Sequence, residues 1–406
     1  MSNSERIAAL VSPLARAVPS TWSAANRPPV MINFDQGLPD PTLFPFEQLR
    51  SDIDAVLREH QVGALTYYSE GGPAEMAYGH AGLRQALAER SAARDGRPVP
   101  LDGLLLANGS TDGLALAVKA FLAPGDGAVV ESATYRHTRR FMEATGAEIR
   151  STPMDENGML IDRLEETLDQ LQADGYRPKM IYTIPTFHAP TGTVMPLERR
   201  QALVELAQRR QIMILEDNCY YDFGYDGPPP PTLFALDRGG YVIHSDSFSK
   251  YLAPGLRLGW VAGDPAAIAA ITRVRQDFAV SQLLARAAER IVRSGFLEQH
   301  LARLRRHYAA KRDLTAALLR KYCGDSISFR TPAGGFFFWI RFNDRIDADV
   351  ALRTLTERGL AVRGGEWFTG DINGRRYIRL SPIQLDTQEI ERGIAILGTV
   401  LSELMV

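Results

Sequence analysis

The sequence predicts an α/β protein with a mostly parallel central sheet between layers of helices, joined to a smaller α+β domain. From about residue 100, short apolar runs alternate with longer amphipathic stretches, which is typical of strands connected by helical crossovers. After about residue 296 a long charged helical stretch and more isolated strands replace this alternation. The chain has 406 residues, more than one hydrophobic core usually reaches, so we expect two domains.

The large domain is expected over residues 46–295, after an N-terminal arm or small-domain segment over 1–45. Its strands are predicted at short apolar runs, namely 104–107, 127–130, 180–183, 212–215, 241–244 and 258–262. Helices are predicted over 114–122 and 196–210, and an amphipathic helix over 46–60 precedes them.

The small domain is expected over residues 296–406. In chain order, we predict a long helix over 296–321, a strand over 336–340, a shorter helix over 348–358 and a second strand over 377–380. The last helix should begin at Asp386, because Glu389 three residues later completes a capping box.

Composition and charge favour a small molecule over a nucleic acid as the partner. Hydrophobic residues make up 45% of the chain and charged residues 23%, and the net charge of −2 provides no basic surface. Cys219 and Cys323 lie far apart and match no metal-ligand spacing, so we expect a reducing, cytoplasmic location and no metal. We also expect no signal peptide and no membrane span, because no apolar run approaches about 18 residues.

The most informative segment follows the predicted strand at 241–244. Ser245, Ser247 and Ser249 precede Lys250, and Arg257 follows in the segment Pro-Gly-Leu-Arg-Leu-Gly-Trp at 254–260. The amine can form a Schiff base with an aldehyde, and the hydroxyls and the arginine can bind a phosphate dianion. The carboxyl end of a strand is also where α/β sheets bind ligands. The segment therefore indicates an anchor for pyridoxal phosphate, although a lone lysine is more often a surface charge.

Two further residues follow the apolar strand at 212–215. Asp217 would lie at the carboxyl end of that strand, where its carboxylate could keep the pyridine nitrogen of the cofactor protonated. Tyr220 could reach the phenolic oxygen of the cofactor. The alternatives are a solvated loop aspartate and a tyrosine that fills the core.

A phosphate site and a stacking aromatic are predicted after two other strands. Ser110 and Thr111 open a helix directly after a strand, so their amides would point at an anion. Both are also ordinary helix caps. Tyr135 follows the next strand and could stack on the pyridine ring, or could simply fill the core.

Taken together, these motifs resemble the class I/II aminotransferases, which are fold-type I pyridoxal-phosphate enzymes. The resemblance covers most of the chain, from residue 33 to Arg379, and is closest to the branch of 2-aminoadipate and aromatic aminotransferases. Five motifs occur in the order of that branch: Gly-Leu-Pro-Asp at 37–40, the phosphate loop at 108–113, Glu-Asp-Asn at 216–218, Ser-Phe-Ser-Lys at 247–250 and Pro-Gly-Leu-Arg at 254–257.

The resemblance implies a role for each matching residue. Lys250 would be the Schiff-base lysine and proton shuttle, with Asp217 on the pyridine nitrogen and Tyr220 on the phenolic oxygen. The phosphate ligands and the stacking ring would be Ser110, Thr111, Ser247, Arg257 and Tyr135.

The substrate site and the assembly are implied in the same way. Arg379, helped by the backbone amide of Gly37, would hold the substrate α-carboxylate. Tyr67 would reach the phosphate of a neighbouring subunit, so the resemblance implies a homodimer with shared sites. The substrate side chain could contact Gln36, Tyr68, Glu70 and His188, but no pattern selects one class of amino acid.

One loop departs from the family pattern. The family usually has Gln-Asn-Pro-Thr-Gly there, whereas residues 187–192 are Phe-His-Ala-Pro-Thr-Gly. Ala189 cannot donate a hydrogen bond to the phenolic oxygen of the cofactor, so the titration of the Schiff base should change. His188 could compensate and contact the substrate if its ring turns inward, and its alternative is a structural role.

The leading hypothesis is transamination of an α-amino acid to its 2-oxo acid. The alternative is a non-transaminating enzyme of the same fold, such as a β/γ-elimination lyase or an oxygen-dependent oxidative deaminase or decarboxylase, and Ala189 motivates it. A third possibility is the effector-sensing half of a transcription regulator. We do not favour it, because only about 30 residues, not markedly basic, precede the Gly37 motif.

Overall fold

The computed structural model describes residues 2–11, 32–68 and 71–405. Its strands are β1 (Ile32–Asn33), β2 (Leu104–Ala107), β3 (Asp126–Glu131), β4 (Glu148–Thr152), β5 (Met154–Asp155), β6 (Gly158–Met159), β7 (Arg177–Thr183), β8 (Met213–Asp217), β9 (Val242–Ser247), β10 (Gly259–Ala262), β11 (Ile327–Phe329), β12 (Phe338–Phe342), β13 (Leu360–Ala361), β14 (Arg363–Gly364) and β15 (Tyr377–Leu380).

The α-helices of the described ranges run over Asn3–Leu10, Phe46–His60, Glu75–Tyr78, Ala81–Asp95, Ser110–Phe121, Arg136–Glu143, Ile161–Ala173, Leu197–Arg210, Leu233–Leu236, Pro265–Val274, Gln282–Arg293, Phe296–Cys323, Ala348–Glu357, Glu366–Thr369 and Thr387–Leu404. Short 3₁₀ turns at Phe248–Lys250 and Pro254–Leu256 lie beside the candidate site. None of these helices combines the length and the apolar character needed to cross a membrane.

A seven-stranded sheet forms the centre of the molecule, with the strand order β2-β10-β9-β8-β7-β3-β4. Every neighbouring pair is parallel except those of β10, which runs antiparallel to both β2 and β9. The carboxyl ends of β2, β3, β7, β8 and β9 therefore meet at one edge. The predicted α/β fold with a mostly parallel sheet is confirmed.

A second, antiparallel sheet in the C-terminal part has the order β11-β12-β15-β14. The short strand β1 pairs with β13, so residues 32–33 lie against the C-terminal part of the chain. Much of the predicted N-terminal arm, residues 12–31, lies outside the described residues.

Two hydrophobic cores accompany the two sheets, and the long helix Phe296–Cys323 contributes to both. Its first half adds Leu297, Leu301, Leu304 and Tyr308 to the core of the central sheet. Its second half adds residues such as Leu319 to the core of the antiparallel sheet. The helix therefore packs into both cores and connects the two parts.

Most predicted elements lie within two residues of the observed ones, and Asp386 and Glu389 form the expected capping box. The strand predicted at 336–340 begins instead at Phe338, because Phe336 and Phe337 pack into the core of the central sheet. The predicted helix 46–60 has the expected bounds, but only part of its apolar face is packed. Val56 is fully buried, whereas Phe46 is 64% exposed.

Candidate active site

Lys250 lies in the 3₁₀ turn that follows β9, at the carboxyl edge of the central sheet. Its Nζ donates a hydrogen bond to the backbone oxygen of Gly37 at 2.9 Å. Burial lowers the pKa of the Lys250 amine below its ordinary value, because a charged ammonium is disfavoured away from water. A larger fraction of this amine is therefore neutral, the form that attacks an aldehyde or accepts a proton.

Asp217 is the last residue of β8, and its carboxylate is almost completely buried. Oδ2 accepts a hydrogen bond from the Tyr182 hydroxyl at 2.9 Å. Oδ1 is buried and meets no donor in hydrogen-bond geometry among the described residues. Burial raises the pKa of Asp217 above its ordinary value, and the hydrogen bond from Tyr182, with the nearby amide and thiol of Cys219, opposes that rise. A cationic N–H partner at Oδ1 would satisfy this oxygen and relieve its burial cost.

Arg257 packs closely against the loop after β2 and gives it a positive charge. Gly109 has φ +85°, and a Cβ at this position would lie 2.6 Å from Arg257 Nη2. The Arg257 guanidinium donates to the backbone oxygen of Asn108 at 2.7 Å. The helix Ser110–Phe121 begins immediately afterwards, so its first amides face the same space. This arrangement is suited to an anion such as a phosphate.

Serine hydroxyls line the neighbouring turn. The Ser247 hydroxyl donates to the backbone oxygen of Leu258 at 3.2 Å and lies 2.9 Å from the Ser249 hydroxyl. The turn that carries Lys250 is thereby tied to the start of β10, next to Arg257.

Two tyrosines, Tyr220 and Tyr135, are further candidates for contacts with the cofactor. The Tyr220 ring is buried, and its centroid lies 5.6 Å from Lys250 Nζ. Its edge contacts Phe336 and Phe337, which limits its movement. Tyr135 follows β3 and stacks on the His137 ring at 5.0 Å, and burial raises its pKa to about 12.

Arg379 lies on β15, in the antiparallel sheet. Its guanidinium is sandwiched between the rings of Phe337 and Phe368, at 4.5 and 4.8 Å, and Nη2 donates to the backbone oxygen of Asp35. Nε is buried without a hydrogen-bond partner among the described residues. Burial lowers the pKa of Arg379 to about 10. A carboxylate at this position would compensate the charge.

The structure differs from the expectation for His188. This residue is buried, Nε2 lies 2.9 Å from Glu131 Oε2, and Nδ1 lies 2.8 Å from the Thr191 hydroxyl. Because both ring nitrogens have protein partners, the ring offers none to a substrate or cofactor. These contacts favour the structural alternative, in which His188 holds the loop that carries the buried Ala189.

Some predicted residues do not join the other site residues within one chain. Tyr67 is 66% exposed, and its ring contacts Phe278 instead of the groups around Lys250. Gln36 and Tyr68 are exposed as well. Glu70 lies outside the described residues.

Sequence reasoning missed three residues that support the site. Tyr182 lies within an apolar strand and resembles a core residue, but its position beside β8 in a parallel sheet was the available signal. Asp35 and Arg363 are 328 positions apart and form a two-pronged ion pair next to Arg379, with Nε and Oδ1 at 2.6 Å. No local pattern indicates that pair.

These features fit pyridoxal phosphate in three independent ways. The unsatisfied Asp217 oxygen suits a pyridinium, the surface around Gly109 and Arg257 suits a phosphate, and the Lys250 amine, whose pKa is lowered by burial, suits the aldehyde. All three lie at one edge of the central sheet.

Comparisons with known proteins agree with this geometry. The family model for aminotransferase class I and II matches residues 55–397. The aromatic-amino-acid aminotransferase 1 of Thermococcus litoralis is 33% identical over 92% of this chain and 89% of its own length. The 2-aminoadipate transaminase of Thermus thermophilus is 31% identical, over 93% of this chain and 91% of its own length.

A solved structure has nearly the same fold. The α-aminoadipate aminotransferase LysN from Thermus thermophilus, complexed with N-(5'-phosphopyridoxyl)-L-leucine, superposes with a TM-score of 0.87 at 28% identity. The match covers 100% of this chain and 99% of that structure. The chain therefore belongs to the class I and II aminotransferases, and it is a pyridoxal-phosphate-dependent transferase that transaminates α-amino acids.

Proposed function

We propose that Lys250 carries the cofactor as a Schiff base and moves the proton that leaves the substrate α-carbon. When bound, pyridoxal phosphate supplies an aldehyde and a ring that accepts electrons. The observation that carries this proposal is the convergence of Lys250, Asp217 and the Gly109–Arg257 surface on one sheet edge. The lowered pKa of the Lys250 amine favours its unprotonated form, which is the form that can accept a proton.

Asp217 is proposed to hold the proton of the pyridine nitrogen through Oδ1. Tyr182 supports this role, because its bond to Oδ2 fixes the plane of the carboxylate and stabilises its charged form. Tyr220 is proposed to donate to the phenolic oxygen. Since Ala189 has no polar side-chain atom, Tyr220 would provide this contact without the usual asparagine.

Arg257, Ser110, Thr111 and Ser247 are proposed to bind the phosphate, and Tyr135 to lie against the pyridine ring. The support is the positive surface at the start of the helix Ser110–Phe121. Arg379 is proposed to bind the substrate α-carboxylate together with the backbone amide of Gly37. Its buried guanidinium and unpartnered Nε support this role.

The proposed substrates are α-amino acids with large side chains, aromatic or 2-aminoadipate-like. This rests on the relatives, which are named for aromatic amino acids and 2-aminoadipate, and leucine is included because the LysN structure holds a phosphopyridoxyl-leucine adduct. The test is a panel of L-phenylalanine, L-tyrosine, L-leucine, L-2-aminoadipate and L-alanine with purified holoenzyme. We expect the pyridoxamine form and a 2-oxo acid from the first four. Release of ammonia or peroxide without the pyridoxamine form would contradict the proposal.

A homodimer with shared sites is proposed on the basis of an exposed apolar surface. The Tyr67 and Phe278 ring centroids lie 5.0 Å apart, yet the two residues are 66% and 60% exposed, and Val62 and Leu65, shortly before Tyr67 in the chain, are also exposed. Such a patch is typical of a protein interface. Tyr67 would then reach the phosphate in the partner's site. Light scattering should give twice the chain mass, and a monomeric mass would refute the proposal.

The domain division at residues 46 and 296 also remains a proposal, supported by the two cores. A cytoplasmic location is proposed from the two free cysteines, Cys219 and Cys323.

A further inference from the structure

A small aromatic and cationic cluster connects the two parts of the molecule beside the candidate site. The helix Arg136–Glu143 starts directly after Tyr135, and the helix Glu366–Thr369 lies opposite it in the C-terminal part. The Arg136 guanidinium lies 4.2 Å from the centroid of the Trp367 ring. The Thr134 amide donates to the backbone oxygen of Phe368 at 3.2 Å, so the two segments also touch through their backbones.

Trp367 is connected to Arg379 by two routes. In the first route, the Arg363 guanidinium lies 4.8 Å from the centroid of the Trp367 ring and forms an ion pair with the Asp35 carboxylate. The backbone oxygen of Asp35 in turn accepts a hydrogen bond from Arg379. The residue next to Trp367, Phe368, lies 4.8 Å from the Arg379 guanidinium. A movement of Trp367 would therefore shift both groups that orient Arg379.

The Arg136 side chain is half-buried where it contacts the Trp367 ring. Burial and the neighbouring charge of Arg140 lower its pKa, which indicates a guanidinium that is partly removed from water. A cation over an aromatic ring is strengthened by such desolvation. Arg140, one turn further along the same helix, lies 5.7 Å from the ring and should contribute less.

We propose that Arg136 and Trp367 form a clasp that holds Arg379 ready to bind the substrate α-carboxylate. Both are positioning residues, because they act through Arg363, Asp35 and Phe368 and not on the reacting atoms. The clasp also joins the segment of Tyr135 to the segment of Arg379. It rests on the proposed role of Arg379 and deepens it.

The test is single-turnover kinetics of the holoenzyme with L-phenylalanine and with L-2-aminoadipate, which separates the substrate Kd from the limiting rate constant. Trp367→Ala and Arg136→Gln should each raise Kd about tenfold, equivalent to about 1.4 kcal/mol, and change the limiting rate less than about twofold. Trp367→Phe, which keeps a ring, should recover most of the affinity. The matched control Arg140→Gln should change Kd less than about threefold. Affinity of the apo-protein for pyridoxal phosphate should be unchanged in all four variants.

Parent-like Kd values in Trp367→Ala and Arg136→Gln would overturn the clasp, as would a loss confined to the limiting rate or to cofactor affinity. If Trp367→Ala does not fold, Arg136→Gln and Trp367→Phe still decide the matter. The proposed function fails separately, when neither amino acid changes the cofactor absorbance of the parent enzyme.

Discussion

Gly109→Ala is the substitution for which the structure allows the most explicit forecast. A Cβ at this position would lie 2.6 Å from Arg257 Nη2 and 3.1 Å from its Cζ, so the guanidinium must move. The backbone has φ +85°, which costs an alanine about 1–3 kcal/mol of stability. Displacing Arg257 should also remove its charge-assisted bond to the phosphate, worth about 1.5–3 kcal/mol.

The loss of that bond corresponds to a rise of about 10- to 100-fold in the Kd for pyridoxal phosphate. The assay is an absorbance titration of apo-protein with the cofactor. Gly125→Ala is the matched control, because Gly125 has φ +90° with nothing near its Cβ position and lies at the other end of β3, away from the site. It should be destabilised similarly, yet bind the cofactor within about threefold of the parent. Equal affinities in the two variants would refute the assignment of Arg257 and the Gly109 loop to the phosphate.

Three further outcomes are expected. Asp217 has a folded-state pKa above its unfolded-state pKa, so its ionisation costs the folded protein stability as the pH rises from the unfolded value through the folded value. Tyr182→Phe removes a hydrogen-bond donor to the charged carboxylate, so the folded-state pKa of Asp217 should rise further. The melting temperature of the apo-protein should therefore fall further below that of the parent at pH 8 than at pH 5. An equal difference at both pH values would count against the Tyr182–Asp217 bond. Arg379→Lys should raise the KM for an amino acid at least about tenfold, because a lysine cannot make the planar two-pronged contact, and an unchanged KM would move the carboxylate site elsewhere. His188→Gln should retain kcat within about threefold, because His188 contacts Glu131 and Thr191 and not the substrate, and a large loss of kcat with intact folding would restore a functional role for the ring.

The sequence was sufficient for the α/β architecture because strands and helices leave clear periodic patterns. The antiparallel direction of β10 could not be predicted in this way. An apolar run predicts a strand but not its direction in the sheet, which depends on the connections around it. The exposure of Phe46 could not be predicted either, because a helix pattern identifies an apolar face without showing what covers it.

Motif spacing located the candidate site where each residue follows a strand or opens a helix. Lys250, Asp217 and Ser110 are of this kind, and parallel strands bring their ends together. The contacts that support these site residues could not be predicted from the sequence. His188 bonds to a residue 57 positions away, and the Arg363–Asp35 pair spans 328 positions, so only the folded chain shows them.

The Schiff base at Lys250 is tested most directly by borohydride reduction of the holoenzyme followed by peptide mass spectrometry. We expect a yellow protein whose absorbance band disappears on reduction, with a phosphopyridoxyl group on the peptide that contains Lys250. Lys250→Ala should carry no such group. A reduced adduct on another lysine, or none on protein purified with excess cofactor, would contradict the assignment of Lys250.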